Sequence, residues 1–242
     1  MRVATVPVRT PRQQRSGRAD LIIRIDGRRP PSAEAVADVA AVCDAAEDHD
    51  AYGRVIIHVT GTPGQAWRSE FTVTMIGKWE RILRRLERLP ATTVAVASGD
   101  CGGLALDALL ATDYRIADPA VRLLIPARTG ATWLSLALYR LTTQAGVAAV
   151  RRAVLLGRPI DAEEAVMHHL IDEVTEDAAG ALSAMPQASG PELAIRRRLM
   201  LDTNGRRSGR SELDAARQLM SDLHGARPAM RLLGIGACGT LG

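Results

Sequence analysis

A β-rich run from Thr92 to Ala97 stops at Gly99, a glycine pair follows at Gly102 and Gly103, and Leu104 to Ala111 then reads as a helix. Strand, glycine turn and helix in that order build a site. The first N–H groups of such a helix have no intrahelical partner and lie at the positive end of its dipole, so they can hold a developing oxyanion or a phosphate. One acid lies within reach, Asp107, a turn beyond Leu104, and residues three apart share a helix face. Its carboxylate can serve acid–base chemistry beside the backbone donors, or it can simply complement the helix dipole. Cys101 stands in the same turn, where a thiolate would be favoured, but we read it as a small residue. The histidines offer less: His58 lies inside a strand, His168 and His169 fall late in a helix, and none has metal-type partners at helical spacing. No metal site is expected, and no serine-centred nucleophile motif occurs.

The segment from Gly99 to Asp113 resembles, in length and without a gap, the G-x-A-x-G-G-G-x-E-L-A-L-A-C-D pattern at the centre of the crotonase (enoyl-CoA hydratase/isomerase) superfamily. Gly99, Gly103, Ala111 and Asp113 agree directly. Tyr114 to Ala117 look like the family's D-x-R-I-A, and Gly157, Arg158, Ile160, Ala162, Glu163, Glu164 and Ala165 look like its L-x-G-R-x-I-x-A-x-E-A. The likeness runs from about Leu21 to Asp177, with a weaker match in Pro191 to Met200.

That resemblance implies an α/β fold, a crotonase-like spiral of β-β-α units closed by helical C-terminal trimerisation elements. It implies an acyl-CoA ligand, or an acyl thioester on a carrier, with coenzyme A entering only as part of the substrate and no separate cofactor. Two backbone N–H groups would hold the thioester oxygen. One falls on Leu104, where the family has the middle glycine of its G-G-G run, and the next glycine is replaced by Ala105. A backbone N–H survives any side chain except proline, but leucine crowds the approach. The other donor would come from the loop Gly61 to Arg68, where Ala66 is the candidate; an ordinary surface loop with Trp67 packed at its base is the alternative. Of the two glutamates of the family's hydratases, the first falls on Asp107, shorter by one methylene, and the second on Ala127, which cannot transfer a proton. Ordinary two-glutamate hydration is therefore not expected, and Asp107 remains as lone acid or base.

Within that family the short chain, the arginine-rich composition and the eroded glutamate pair resemble the divergent members that accompany type III polyketide synthases in making the dihydroxyphenylglycine precursor. The implied role is to help the synthase product dehydrate and aromatise, with a type III polyketide synthase as partner. The alternative is a non-catalytic partner that keeps the fold and the subunit surface.

Composition sets the frame. The 242 residues are 47% hydrophobic but only 3% aromatic, so one large core must be built from Ala, Leu, Val and Ile. The three cysteines, Cys43, Cys101 and Cys238, lack disulfide or zinc spacing, which fits a reduced cytoplasmic setting. No apolar run approaches the roughly 20 residues that span a bilayer, and no secretory leader is read. The net charge of +4 comes with a single lysine, Lys78, and arginines scattered over tail and helix faces, so no nucleic-acid patch is read from it.

Residues 1–19 read as a mobile arginine-rich tail, or as a docking arm; 20–180 as the spiral core; and 181–242 as a helical C-terminal region that packs into a homotrimer or hexamer. Within the core, Leu21 to Ile25 predicts a first strand, Ser32 an N-cap for a helix through Glu47, and Arg54 to Thr60 a buried strand broken by Gly61. A second helix, about Phe71 to Leu89, carries Ile76, Trp79, Leu83 and Leu86 on its apolar face and Glu80, Arg84, Arg85 and Glu87 on the other. Asp113 to Ala117 returns the chain to the sheet; helices follow to Gly157 and from Ala162, then a short strand at Leu170 to Val174 and helices at Pro191 to Met200 and Ser211 to Leu223.

Overall fold

A computed structural model of the chain describes residues 19–48, 52–64, 73–125, 137–186 and 188–208. The helix expected over Ser211 to Leu223 and the tail before Ala19 lie outside these residues.

Strand β1 (Ala19–Asp26), helix α1 (Ala33–Asp48) and strand β2 (Tyr52–Gly61) form the first unit, and β1 and β2 are parallel. Ser32 caps α1 as its type dictates: Oγ accepts the N–H of Ala35 at 3.1 Å. Helix α2 (Val73–Leu86) then leads to β3 (Thr92–Gly102), which pairs in parallel with β2. Helix α3 (Leu104–Leu110) carries the chain to β4 (Tyr114–Ala117), again parallel to β3. Among the described residues the sheet is seven-stranded. Its main path, β1-β2-β3-β4-β7, is parallel and ends on β7 (Glu173–Val174). Two short strands branch from it: β5 (Arg122–Leu124) pairs in parallel with β3, and β6 (Ile160–Asp161) is antiparallel to β5.

Strand β3 is longer than the sequence indicates. It passes Gly99, whose φ of +58° bends it, and continues to Gly102 because β5 supplies partners for Asp100, Cys101 and Gly102. Strands as short as β5 and β6 carry no periodicity of their own, and only their tertiary neighbours create them.

The core lies between one sheet face and the helices. Val55, Ile57 and Val59 of β2, Ala95 and Ala97 of β3, Trp79, Leu83 and Leu86 of α2, and all of α3 are buried. The apolar stripe of α2 falls where its spacing places it. The opposite face does not: Glu80 is only 4% exposed, because α4 (Ala137–Ala145) brings Arg140 against it. Helix α5 (Val147–Leu156) and helix α6 (Ala162–Met167) follow. His168 is the C-cap of α6 and His169 lies beyond it at φ 55°, so the histidine pair ends that helix instead of belonging to it. Helices α7 (Ala178–Ala184) and α8 (Pro191–Ser208) close the described chain, and α8 is anchored by Arg197, whose Nε donates to Asp113 Oδ1 at 2.9 Å and whose Nη2 donates to the Ala91 carbonyl at 3.1 Å.

Candidate functional site

The C-terminal ends of β1, β2 and β3 converge. The N–H of Gly27, just past β1, donates to the Thr60 carbonyl at 2.7 Å, and a Cβ there would stand 2.2 Å from the Gly61 carbonyl oxygen and 2.3 Å from that of Gly102. Only glycine permits that approach. Beside these ends lies a cleft of about 630 Å³, at the place where parallel α/β sheets usually bind ligands. Its inner wall is apolar, with Ile25, Val39, Val59, Trp79 and Leu104; its accessible wall is polar, with Arg24, Asp26, His58, Thr60 and Ser98.

Leu104 stands at the inner end. Gly103 before it has φ 56° and ψ −129°, a backbone that L side chains rarely adopt, and it serves as N-cap without a side chain to offer. The turn therefore keeps the glycine its geometry needs, and Leu104 and Ala105 after it are buried in the core. The Leu104 N–H is at the first helical position, where no carbonyl four residues back belongs to the helix.

Asp107 is fully buried. Its Oδ2 accepts the indole N–H of Trp79 at 3.2 Å. Trp79 and Leu104 line the cleft and Asp107 does not, so the carboxylate lies one residue layer behind the wall. Behind it runs a buried ionic cluster: Arg140 Nε donates to Glu87 Oε1 at 2.7 Å and Nη1 to Glu80 Oε2 at 3.1 Å. These carboxylates hold the Arg140 guanidinium above its ordinary pKa despite its burial. Arg115 fastens the other end of α3, donating to the carbonyls of Leu109 at 3.0 Å and Leu110 at 3.1 Å, a cation at the negative end of a helix.

Ala66 and Ala127 lie outside the described residues. Cys101 is buried and its thiol is pushed up to about 12 by that burial, as is Cys43; neither is a thiolate near neutral pH. No group of metal-ligating side chains occurs among the described residues, and no helix there is long and apolar enough to cross a membrane.

His58 is half-buried, in parallel register with Arg24 of β1 on one side and Val96 of β3 on the other, and alternates with Ile57 and Val59, which face the core. Burial, and then Arg24, lower its pKa below the ordinary value. The signal available in the sequence was one imidazole within the apolar run Val55, Ile56, Ile57, Val59.

No family profile matches the chain. An enoyl-CoA hydratase of Amycolatopsis orientalis is 48% identical over 187 residues, which span 76% of this chain and 86% of that relative. The crystal structure of an enoyl-CoA hydratase from Shewanella pealeana matches with a TM-score of 0.62 at 15% identity, covering 89% of this chain and 85% of the other. An enoyl-CoA hydratase/isomerase family protein from Silicibacter pomeroyi matches at 0.61 and 21% identity, covering 79% and 93%. At these identities the two structures speak for the fold alone.

Proposed function

Because the chain belongs to the enoyl-CoA hydratase (crotonase) family, through its 48% identity to the Amycolatopsis orientalis relative, we propose that the cleft binds an acyl-CoA, or a carrier-bound acyl thioester, and polarises its carbonyl. The observation that carries this reading is the position of Leu104, the first residue of α3, in the inner wall of the cleft. Its backbone N–H and that of Ala66 are the two donors to the thioester oxygen. When charge develops on that oxygen, fixed donors in a dry site stabilise it, each contributing about 10²- to 10³-fold in rate. Coenzyme A belongs to the substrate, and no further cofactor takes part.

The reaction is dehydration or isomerisation of a polyketide-derived acyl thioester on its way to an aromatic product, in the cytoplasm, alongside a type III polyketide synthase. The eroded acid pair supports a specialised task over general hydration. Exposed Ile195, Leu199 and Met200 on α8 support assembly into a homotrimer or hexamer, which would cover them.

A second reading, a binding partner without chemistry, is favoured by one observation: the acid expected to move protons, Asp107, is fully buried against Trp79. Calorimetry with acyl-CoA and with free CoA tests the shared part of both. Tighter binding of the thioester than of CoA alone supports the carbonyl site; equal affinity removes it. Product profiles of a type III synthase with and without the protein then separate catalysis from support.

A further inference from the structure

The acyl-thioester reading places a carbonyl oxygen at the Leu104 N–H, and such a donor polarises only while it points at that oxygen. Little in α3 itself aims it. The helix has seven residues, its N-cap is a glycine with no side chain to offer, and six of its seven side chains are Leu or Ala. Apolar burial is non-directional, so those six set the depth of α3 in the core more than its rotation. Asp107 is the seventh, and it supplies a direction.

Three links run in series from α2 to the donor. The Trp79 indole N–H donates to Asp107 Oδ2 at 3.2 Å, between two fully buried residues. The Asp107 backbone N–H donates to the Gly103 carbonyl at 3.0 Å, the first bond of α3. Gly103 C=O and Leu104 N–H belong to one peptide unit, which is planar and trans, so the two are oppositely directed in a single plane and fixing the one aims the other. Helix α2 is a firm post for this chain of contacts, since Glu80, the residue after Trp79, accepts from Arg140 of α4 at 3.1 Å.

We propose that Trp79 is a positioning residue for carbonyl polarisation in this cleft, acting through Asp107 on the peptide plane that carries the Leu104 N–H. The inference rests on the acyl-thioester reading and deepens it. It gives Asp107 a task that suits its burial: the carboxylate touches no ligand and moves no proton, but receives the indole N–H while the same residue's backbone N–H grips Gly103. Each side of the link depends on one chemical group. Phenylalanine at position 79 fills core volume without a donor, and leucine at position 107 fills it without an acceptor.

The test is the absorbance shift of cinnamoyl-CoA on binding to folded protein, which reports how far its carbonyl is polarised, with calorimetric affinity for the same ligand. Trp79→Phe and Asp107→Leu break the link from its two sides, and both are expected to lose most of the red shift. Both should still bind within about 10-fold of wild type, the most that a weakened bond from the Leu104 N–H to the thioester oxygen would cost. Asp107→Asn keeps an acceptor and is expected to retain the shift. Leu86→Ala, a core deletion elsewhere on α2, controls for lost stability: it should unfold earlier and keep the full shift. A full red shift in folded Trp79→Phe or folded Asp107→Leu would overturn the proposal and leave the pair as a stability contact. Loss of the shift in Asp107→Asn would overturn it too, by placing the effect in the charge and not in the indole bond. Wild-type protein that binds cinnamoyl-CoA without a red shift removes the polarising donor and this proposal together, and leaves the binding reading standing; absence of binding rejects the acyl-thioester reading itself.

Discussion

Trp79 Nε1 donates to Asp107 Oδ2 at 3.2 Å, and neither side chain is open to solvent. The pair joins α2 to the first turn of α3, and so fixes the segment on which Leu104 stands. Asp107→Asn retains an acceptor for the indole and is expected to change stability by less than about 1 kcal/mol, whereas Asp107→Leu strands a buried N–H and should cost about 1–3 kcal/mol. Urea denaturation of the two variants checks this. Equal losses in both would show that the charge, not the acceptor, is what the indole needs.

Arg140 makes the strongest demand on the core. It is 6% exposed and neutralises Glu80 and Glu87 together. Replacing it by methionine takes this cation away from the buried Glu80 and the partly buried Glu87, with an expected loss of about 3–5 kcal/mol. Thermal unfolding of Arg140→Met measures it, and the double change Arg140→Met with Glu80→Gln is expected to recover part of the loss.

His58 gives a pH dependence of defined sign. Its folded pKa is lowered, so over the interval between that value and the ordinary 6.5 the unfolded chain binds the proton more readily than the folded one. Its contribution to stability is therefore present above the ordinary value and is lost as pH falls from there through the lower folded value. His58→Gln should flatten the acid side of a plot of unfolding midpoint against pH; an unchanged slope would assign that slope to other groups.

Parallel β-α units, the α1 cap at Ser32 and the buried stripe of Trp79, Leu83 and Leu86 were legible because local signals decide them: capping chemistry, period and glycine punctuation. The burial of Glu80 was not, since its partner Arg140 lies 60 positions on. The same reason hid the place of Asp107. Helical spacing puts it on the face of Leu104, and only packing against α2 shows Trp79 interposed.

The resemblance that aligns Ala127 with the family's second acid carries an expectation for conventional activity. Hydration of crotonyl-CoA should be absent or several orders of magnitude below the common enzyme median of about 10 s⁻¹. A spectrophotometric assay of the enoyl thioester measures it, and turnover near that median would mean that another residue fills the role.

If the Leu104 N–H holds the thioester oxygen, proline at that position removes the one donor that matters. Proline suits the first position of a helix, so Leu104→Pro deletes the donor while leaving α3 able to form; Leu104→Ala is the control for the lost side chain. The measurement is the absorbance shift of a chromophoric cinnamoyl-CoA on binding, which reports polarisation of its carbonyl. A red shift in wild type and Leu104→Ala that disappears in folded Leu104→Pro, with a rate loss of about 10²- to 10³-fold, is the predicted result. The same shift in all three proteins would contradict the account.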